Sequence, residues 1–235
     1  MSIQNSSNAT KFDEFAVSYD HALAMGLSAT GEDREFFARG RIKLLRKRLD
    51  GLQFRPHRAM EFGCGTGSNL PLLLEITGAD SALGLDVSAK SLDIARTSLN
   101  SAPVSFAQPS EHRPDAKIDL AFCNGVFHHV DPAMRASVAE YVRDCLRPGG
   151  LFALWENNPW NPGTRYVMSR IPFDKDAITL TASEGRRLLE GAGFRIVSSD
   201  YAFIFPHALR WLRGVEAALC RLPIGGQYQL LAMKP

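Results

Sequence analysis

A glycine turn constrains the fold of this chain more than any other feature of its sequence. The run Glu61-Phe-Gly-Cys-Gly-Thr-Gly67 follows an apolar stretch and precedes a leucine-rich one. Glycine has no Cβ and tolerates positive φ, so the backbone can turn sharply there and approach a ligand closely. The pattern predicts a buried strand, a tight turn and a helix whose first N–H groups are available to a ligand. A simple turn without a ligand is the alternative.

Strand-like and helix-like stretches alternate along the middle of the chain. The predicted strands are His57–Phe62, Ser81–Asp86, Val104–Ala107, Ile118–Cys123 and Leu151–Trp155. Because a helical stretch separates each strand from the next, we expect right-handed crossovers and a mainly parallel sheet. The chain is therefore predicted to adopt a doubly wound α/β fold with helices on both faces.

Composition and charge limit the kinds of partner. The chain has 235 residues, 45% of them hydrophobic, and a formal net charge of +2, so no nucleic-acid partner is expected. The basic residues from Arg39 to Arg48 are read as a solvated helix face rather than a nucleic-acid patch. Apolar runs stay below the roughly 18 residues of a membrane span, and the first ten residues do not resemble a secretory signal. The four cysteines show no metal-binding spacing and indicate a reduced, cytoplasmic protein.

The chain divides into a tail, a cap and a main domain. Residues 1–10 are predicted to be a disordered tail, and 11–50 to form a helical cap of two helices. Residues 51–235 form the main domain, in which 157–180 and 201–227 are predicted insertions on the acceptor side. Tyr19 in the cap is a candidate to close over a cofactor, and packing in the core is the alternative.

Two acids beside the glycine turn suggest the charge of the ligand. Asp86 ends the second strand, where a carboxylate can accept hydrogen bonds from a ribose diol; capping the next helix is its alternative role. Glu61 lies directly before the glycines. It would repel a pyrophosphate but not a cation with an amino-acid tail. The pair therefore favours a sulfonium nucleoside over a dinucleotide.

Four motifs in order resemble a known family. They are Glu61-Phe-Gly-Cys-Gly-Thr-Gly67, Gly84-Leu-Asp86, Asp119-Leu-Ala-Phe-Cys-Asn124 and Leu146-Arg-Pro-Gly-Gly150. This set resembles the class I S-adenosylmethionine-dependent methyltransferases, and is similar to the small-molecule branch that includes quinone-biosynthesis O-methyltransferases. The likeness covers about residues 55–200. It implies S-adenosylmethionine as cofactor and S-adenosylhomocysteine as product.

The resemblance also implies a sheet and a set of binding residues. The sheet would have seven strands and end in an antiparallel hairpin, Phe194–Ser199 with Tyr228–Met233. Backbone groups of the glycine turn would hold the methionine portion, Asp86 the ribose, and residues after the second and third strands the adenine. Asn124 would lie by the sulfonium and the acceptor. The family often has an aspartate where this chain has Ser110, so the backbone there is expected to replace it. The implied cofactor residues are Tyr19, Glu61, Gly63, Cys64, Gly65, Asp86, Val87, Pro109, Ser110 and Asn124.

Few side chains are candidates for chemistry. Methyl transfer is an in-line displacement, and a base helps only if the acceptor must lose a proton. His128 is the first candidate base and His129 the second; loop or packing roles are their alternatives. Glu156, at the end of the fifth strand, would bind the acceptor or take its proton, or else would be a buried acid bonded to backbone amides. No ligand cluster is apparent, so no metal is expected.

The acceptor site is predicted after the fifth strand. Residues 156–165 are rich in proline and asparagine and are expected to form an irregular loop, not a helix. Asn157, Trp160 and Arg165 are the candidate acceptor residues, suited to a planar, anionic or sugar-like molecule; a rigid crossover loop is the alternative. The apolar face within 201–222 is suited to a membrane surface, an apolar acceptor or a dimer contact, and packing on the sheet is its alternative.

These patterns predict an S-adenosylmethionine-dependent methyltransferase. Its acceptor would be a small molecule or a lipid- or glycan-linked one, methylated on oxygen, and the protein would be a monomer or homodimer. A nicotinamide-dependent oxidoreductase and a non-catalytic cofactor-binding or scaffold protein are the alternatives.

Overall fold

A seven-stranded sheet with helices on both faces forms the body of the protein. The computed structural model describes residue 13 and residues 19–235, with side chains at residue 13 and from residue 23 onward. The predicted tail and most of the predicted first helix lie outside these residues. The strands are β1 (Arg58–Phe62), β2 (Ser81–Leu85), β3 (Val104–Ala107), β4 (Ile118–Asn124), β5 (Leu146–Asn157), β6 (Arg195–Ala202) and β7 (Gln227–Met233).

Helices join the strands and cap one end of the sheet. They are α1 (Tyr19–Leu27), α2 (Arg34–Gly51), α3 (Leu70–Thr77), α4 (Ala89–Ser98), α5 (Arg135–Cys145), α6 (Pro162–Ser169), α7 (Ala182–Gly191) and α8 (Glu216–Leu219). Short 3-10 segments occupy Ser28–Thr30, Phe127–His129, Pro132–Met134, Pro172–Asp174 and His207–Val215.

The order of the strands in the sheet determines where a ligand-binding crevice can form. It is β3-β2-β1-β4-β5-β7-β6, so the order along the chain reverses between β1 and β4. Strands β1 to β5 pair in parallel, with Phe62 beside Cys123 at the carboxyl edge. Ligands bind in the crevice that such a reversal opens. The predicted doubly wound fold is confirmed.

The C-terminal hairpin is also confirmed. Strand β7 runs antiparallel to both β5 and β6, with Leu151 and Arg195 each opposite Met233. The strands extend a few residues beyond the predicted bounds because the ladder continues to Asn157 and Ala202.

The central strand β5 is covered on both faces. Phe152 and Leu154 enter one core cluster, whereas Leu151, Ala153 and Trp155 enter the other. Successive side chains of a strand point to opposite faces. A strand covered by helices on both faces reads as an unbroken apolar run, as the sequence of β5 does.

Helix ends follow their sequence signals closely. Ser88 caps α4, since its hydroxyl accepts a hydrogen bond from the N–H of Ser91 at 3.1 Å. Thr181 caps α7 in a reciprocal capping box with Glu184. Gly78 ends α3 with φ of +74°, a conformation that glycine adopts without strain.

The expectation of an irregular loop over 156–165 was wrong in its second half. Helix α6 begins at Pro162, within that stretch. Asn161 accepts a hydrogen bond from the N–H of Thr164 at 3.0 Å. Proline at the first helical position loses no intrahelical bond. The asparagine and proline that suggested a loop are therefore the start signal of a helix.

The basic face of α2 is not solvated throughout, contrary to expectation. Arg41 is buried and donates to Oε1 of Gln227 at 3.0 Å. Arg48 forms two bonds to the fully buried carboxylate of Asp200, at 2.9 and 2.5 Å. These polar partners lie on the C-terminal hairpin, so the two arginines bond helix α2 of the cap to the sheet. Within the described part of the chain, no helix has the length and apolarity required to cross a membrane.

Candidate active site

A cavity of about 430 Å³ lies at the carboxyl edge of β1 and β4. Its walls combine the glycine turn, the end of β4, the 3-10 turn after it, helices α1 and α2, and parts of both insertions. Residues at the polar end are Gly63, Cys64, Gly65, Asn69, Asn124, His128, His129 and Asp174. Most of the remaining wall is apolar and includes Leu27, Phe37, Val167, Ile171, Phe203 and Phe205.

The glycine turn forms a bare backbone wall of the cavity. Gly63 has φ of +75°, and a Cβ there would lie 2.3 Å from Val126 Cγ2. Gly65 has φ of +52°, and a Cβ built on it would meet no heavy atom within 4 Å. The first position has no space for a side chain. The second borders open space, where a bound molecule can touch the backbone.

The carboxylate of Asp86 joins the ends of β1 and β2. Oδ2 accepts a hydrogen bond from the N–H of Gly65 at 2.8 Å, and Oδ1 accepts one from the N–H of Ser88 at 2.8 Å. Burial raises the pKa of Asp86, while these two N–H bonds oppose the shift. Asp13 lies nearby and accepts from the hydroxyl of Ser88 at 2.6 Å. This contact of the N-terminal segment was not expected from the sequence.

Glu61 is a buried acid with one oxygen bonded. Its side chain is 1% exposed, and Oε1 accepts from Nδ2 of Asn69 at 2.7 Å. Oε2 has no hydrogen-bond partner among the described residues. Burial raises the pKa of Glu61 to about 7, although the bond from Asn69 opposes this. A buried carboxylate oxygen of this kind suits a cationic group.

The acid at the end of β5 fixes the turn that carries the histidines. Oε1 of Glu156 accepts from the N–H groups of Val126 and Phe127, at 3.1 and 2.7 Å. Its Oε2 lies 2.5 Å from Nδ1 of His128. Glu156 thus has the alternative role named for it, a buried acid bonded to backbone amides.

His128 is buried between two carboxylates. Besides Glu156, Oδ1 of Asp174 lies 3.6 Å from its Nε2. Burial alone would lower the pKa of His128, but Glu156 and Asp174 outweigh it and raise the pKa to about 10. At neutral pH the ring therefore carries both protons, which disfavours His128 as a general base.

His129 has the opposite charge state. Its Nε2 lies 3.2 Å from Oδ1 of Asp174. Burial lowers the pKa of His129, and the contact with Asp174 only partly opposes this. The ring is neutral at pH 7, and Asp174 favours the tautomer with the proton on Nε2. Bonds to both histidines hold the pKa of Asp174 below its usual value despite burial.

The sequence showed no ligand-type cluster, but the fold brings one together. His128, His129 and Asp174 each offer a ligand atom, and these atoms lie within 4.8 Å of one another. In the structure the three side chains contact one another as a polar network. Asp174 was missed because it is far from the histidines in sequence; the signal was an acid within the otherwise apolar Ile171-Pro-Phe-Asp174.

The predicted acceptor residues separate in the structure. Asn157 lines the cavity and accepts from Nε2 of Gln227 at 3.0 Å. Trp160 is 67% exposed, and both it and Arg165 lie outside the cavity lining. Their side chains face solvent because α6 begins at Pro162 and turns Val167 and Met168 toward the cavity instead.

An ion-pair cluster closes the cap against the second insertion. Glu32 accepts from Arg213 at 2.8 Å and from Nδ1 of His207 at 2.9 Å. Arg213 also stacks over the ring of Phe36, 4.5 Å from its centroid. The cluster joins residues that are far apart in the sequence, so no local sequence pattern predicted it.

Comparison with known proteins agrees with this geometry. Residues 60–152, which span β1 to most of β5, match a family model described as a methyltransferase domain. Trans-aconitate 2-methyltransferase of Rhizobium etli is 34% identical over 97 residues, covering 41% of this chain and 37% of that protein. The enzyme of the same name from Acidovorax sp. strain JS42 is 33% identical over 158 residues, covering 66% and 58%.

A solved structure shares the fold. An S-adenosylmethionine-dependent methyltransferase from Mesorhizobium loti superposes with a TM-score of 0.56 and 23% identity, covering 75% of this chain and 90% of that one. The protein has the fold of the S-adenosylmethionine-dependent methyltransferases, and residues 60–152 match the methyltransferase domain. It spans less than two thirds of the length of the curated relatives named above.

The site fits S-adenosylmethionine, the cofactor of the methyltransferases that share this fold. The bare backbone at Gly65 permits close approach of a ligand. One carboxylate oxygen of Glu61 has no hydrogen-bond partner among the described residues, which suits a cationic group. Gly63, Cys64, Gly65 and Asn124, all expected to touch the cofactor, line the cavity.

The other predicted cofactor residues, including Glu61 and Asp86, lie at the same sheet edge but outside the cavity lining. Val87 follows β2 and accepts from Nε2 of Gln108 at 2.8 Å; Pro109 is buried after β3, and Ser110 is exposed. Tyr19 begins α1, but its side chain lies outside the described residues.

Proposed function

We propose that this protein transfers a methyl group from S-adenosylmethionine to a hydroxyl oxygen of a small acceptor with an apolar body. The observation that carries the proposal is the position of the His129–Asp174 pair. These residues share one cavity with the glycine turn and with Asn124. A neutral imidazole therefore lies beside the place where the family holds its cofactor.

The glycine turn and two acids would hold the cofactor. Gly63 and Gly65 offer backbone, Glu61 a carboxylate for a cationic group, and Asp86 a carboxylate for the ribose. When bound, S-adenosylmethionine supplies a methyl group activated by a positively charged sulfur. The chain's part is then to align the acceptor oxygen with that methyl group and to exclude water.

His129 would take the proton of the acceptor hydroxyl. Asp174 accepts from Nε2–H of His129, which leaves Nδ1 as the basic nitrogen of the ring. The carboxylate also stabilises the imidazolium that forms, as an oriented acid does in other acid–histidine pairs. His128 and Glu156 position this turn and act through it.

The charge of the cluster favours a hydroxyl over a carboxylate acceptor. The carboxylates of Glu156 and Asp174 outnumber the one cation, His128, while His129 is neutral. The cluster thus carries a net negative charge, which disfavours a second anion beside it. A carboxylate acceptor would also have no proton for His129 to remove.

The side chains along the remaining cavity wall indicate what kind of acceptor body would fit. Beyond the polar end, aromatic and aliphatic side chains of α2, α6 and the second insertion form most of the cavity wall, which also includes Glu32, Arg34, Arg41 and Arg213. Apolar pockets of this kind bind ligands mainly through burial of apolar surface. The related trans-aconitate 2-methyltransferases are named for a small-molecule acceptor, which supports the size of the acceptor but not its charge.

A methyl-transfer screen tests the proposal. The full chain is incubated with methyl-labelled S-adenosylmethionine and a panel of phenols, lipid alcohols, sugars, amines and trans-aconitate. Transfer to a hydroxyl compound, lost in His129→Ala, is expected. Preferential turnover of trans-aconitate or an amine would overturn the assignment of a hydroxyl.

The alternatives give different outcomes in the same experiments. The comparisons do not support a nicotinamide-dependent oxidoreductase, and binding of a reduced dinucleotide in a fluorescence titration would revive it. A non-catalytic protein would bind S-adenosylmethionine without turnover of any acceptor. We also expect the protein to work in the cytoplasm, since its four cysteines are free thiols.

A further inference from the structure

Large apolar side chains are exposed around the cavity mouth. The six that we call the outer rim are Trp160, Leu209, Trp211, Val215, Leu222 and Ile224, all of them exposed. Trp211 is 75% exposed and Trp160 67%. Exposed apolar groups that cluster in this way mark interaction surfaces, whereas scattered ones do not.

The outer rim belongs to segments that are joined to each other and to the cavity. Asn161 donates to the carbonyl of Ile224 at 2.8 Å, and Thr164 to that of Gly226 at 2.7 Å. Phe205 and Arg213 of the second insertion line the same cavity as Thr164. The rim residues therefore belong to two joined segments that also contribute to the cavity wall.

The segment that carries Trp211 is held to the cap through His207 and Arg213, which pair with Glu32, and leaves its other side chains outside the core. None of the residues from His207 to Leu219 is buried. Tryptophan left in water at this exposure forgoes the burial that usually stabilises it. The sequence-based alternative, packing on the sheet, describes Phe203, which contacts Trp155, but not residues 207–219.

Positive charge accompanies the apolar groups. Residues 158–170 and 203–226 contain five arginines and one acid, whereas the whole chain is balanced at 27 basic and 25 acidic residues. Arg165, Arg170, Arg210 and Arg221 are exposed. The single acid, Glu216, accepts from the N–H of Phe205 at 2.9 Å and is half-buried, so it does not offset the outward charge.

From this combination we propose that the outer rim docks on an anionic lipid bilayer. Tryptophan and aliphatic groups enter the boundary between headgroups and acyl chains, while arginines bind lipid phosphates. A second copy of this chain would place the same arginines against each other, which the charge pattern disfavours. Docking would turn the cavity mouth toward the lipid. The inference does not depend on the reaction, since it concerns only the surface.

Vesicle binding tests the proposal with the full chain. Flotation is measured with vesicles of phosphatidylcholine alone and of phosphatidylcholine mixed with phosphatidylglycerol. We expect binding to the anionic vesicles that weakens as salt is raised. Tryptophan emission should shift to the blue, and Trp211→Ala should reduce the shift, because Trp155 is already buried.

Single substitutions and matched controls locate the contact. Trp211→Ala should weaken vesicle binding at least about tenfold, and Arg210→Gln about fivefold. Leu52→Ala and Arg55→Gln remove an exposed apolar and an exposed basic group away from the cavity and should leave binding unchanged.

Three results would overturn the proposal. They are absence of binding to anionic vesicles, unchanged binding by Trp211→Ala, and a stable dimer in light scattering that Trp211→Ala dissociates. The last would assign the rim to a contact between copies of the chain.

Discussion

Nδ1 of His128 lies 2.5 Å from Oε2 of Glu156. This contact joins the turn after β4 to the end of β5 in the interior of the protein. The same carboxylate holds two backbone N–H groups of that turn. Glu156 thereby sets the position of both histidines that face the cavity.

Stability should depend on the charge of His128. Its pKa is about 10 in the folded protein and about 6.5 in the unfolded chain. Because the folded value is higher, the stabilisation is fully present below about pH 6.5 and is lost as pH rises through 10. Urea unfolding across this window should show a decline that His128→Asn lacks.

The same substitution should be costly at neutral pH. His128→Asn leaves two buried carboxylates without their cation, and we expect a loss of about 3 to 5 kcal/mol in the free energy of unfolding. His57→Asn is the matched control, since its pair with Asp80 is exposed on both sides. Equal effects of the two substitutions would refute the role of the network.

Activity should depend on His129 and Asp174 in a distinct way. His129→Ala should lower kcat by about 10² to 10⁴, and Asp174→Asn should lower it because Nε2–H loses its acceptor. Since burial depresses the pKa of His129, kcat/KM should rise with pH below neutrality and level off by pH 7. A rate that is insensitive to His129→Ala would remove the base from the proposal.

The ionised form of Glu61 should lower the free energy of unfolding while it strengthens cofactor binding. Its folded pKa of about 7 exceeds that of an unfolded glutamate, so stability falls as pH rises through 7. Glu61→Gln should raise the free energy of unfolding at pH 8 by up to about 3 kcal/mol. The wild type should bind S-adenosylhomocysteine more tightly as pH rises through 7, and the variant should bind it more weakly and lack this rise. Tighter binding by the variant would contradict the role of Glu61.

The packing of the cap on the sheet should depend on the ion pair between Arg48 and the buried Asp200. Arg48→Ala leaves the fully buried carboxylate of Asp200 with the hydroxyl of Ser198 at 2.8 Å and the exposed Arg221 at 3.5 Å, so it loses its close cation. We expect a loss of about 3 kcal/mol or more in the free energy of unfolding. Arg39→Ala breaks an exposed pair with Glu35 and should cost less than about 0.5 kcal/mol. Thermal unfolding of both variants gives the comparison.

The sheet and the cofactor edge were predictable because their signals are local. Ser88 and Gly78 mark helix ends through their own side chains or backbone. The glycine turn and Asp86 sit at fixed places relative to strands. Each strand–turn–helix unit can therefore be recognised from a few neighbouring residues.

The acceptor side could not be predicted because its contacts join distant parts of the chain. Asp174 meets the histidines, and Glu32 meets Arg213, only through the tertiary fold. Trp160 seemed suited to an acceptor by residue type, but helix α6 leaves it on the surface. The charge states of His128 and His129 could not be predicted from the sequence either. Their pKa values differ only because of burial and the nearby carboxylates of Glu156 and Asp174.

The most direct test of the account is calorimetric binding of S-adenosylhomocysteine to wild type, Gly65→Ala and Gly78→Ala. Both glycines have positive φ and no protein atom closer than 3.8 Å to an added Cβ, but only Gly65 lines the cavity. We expect the wild type and Gly78→Ala to bind alike, and Gly65→Ala to bind at least about tenfold more weakly while remaining folded by circular dichroism. Absence of binding to the wild type, or undiminished binding to Gly65→Ala, would contradict the assignment of this cavity to the cofactor.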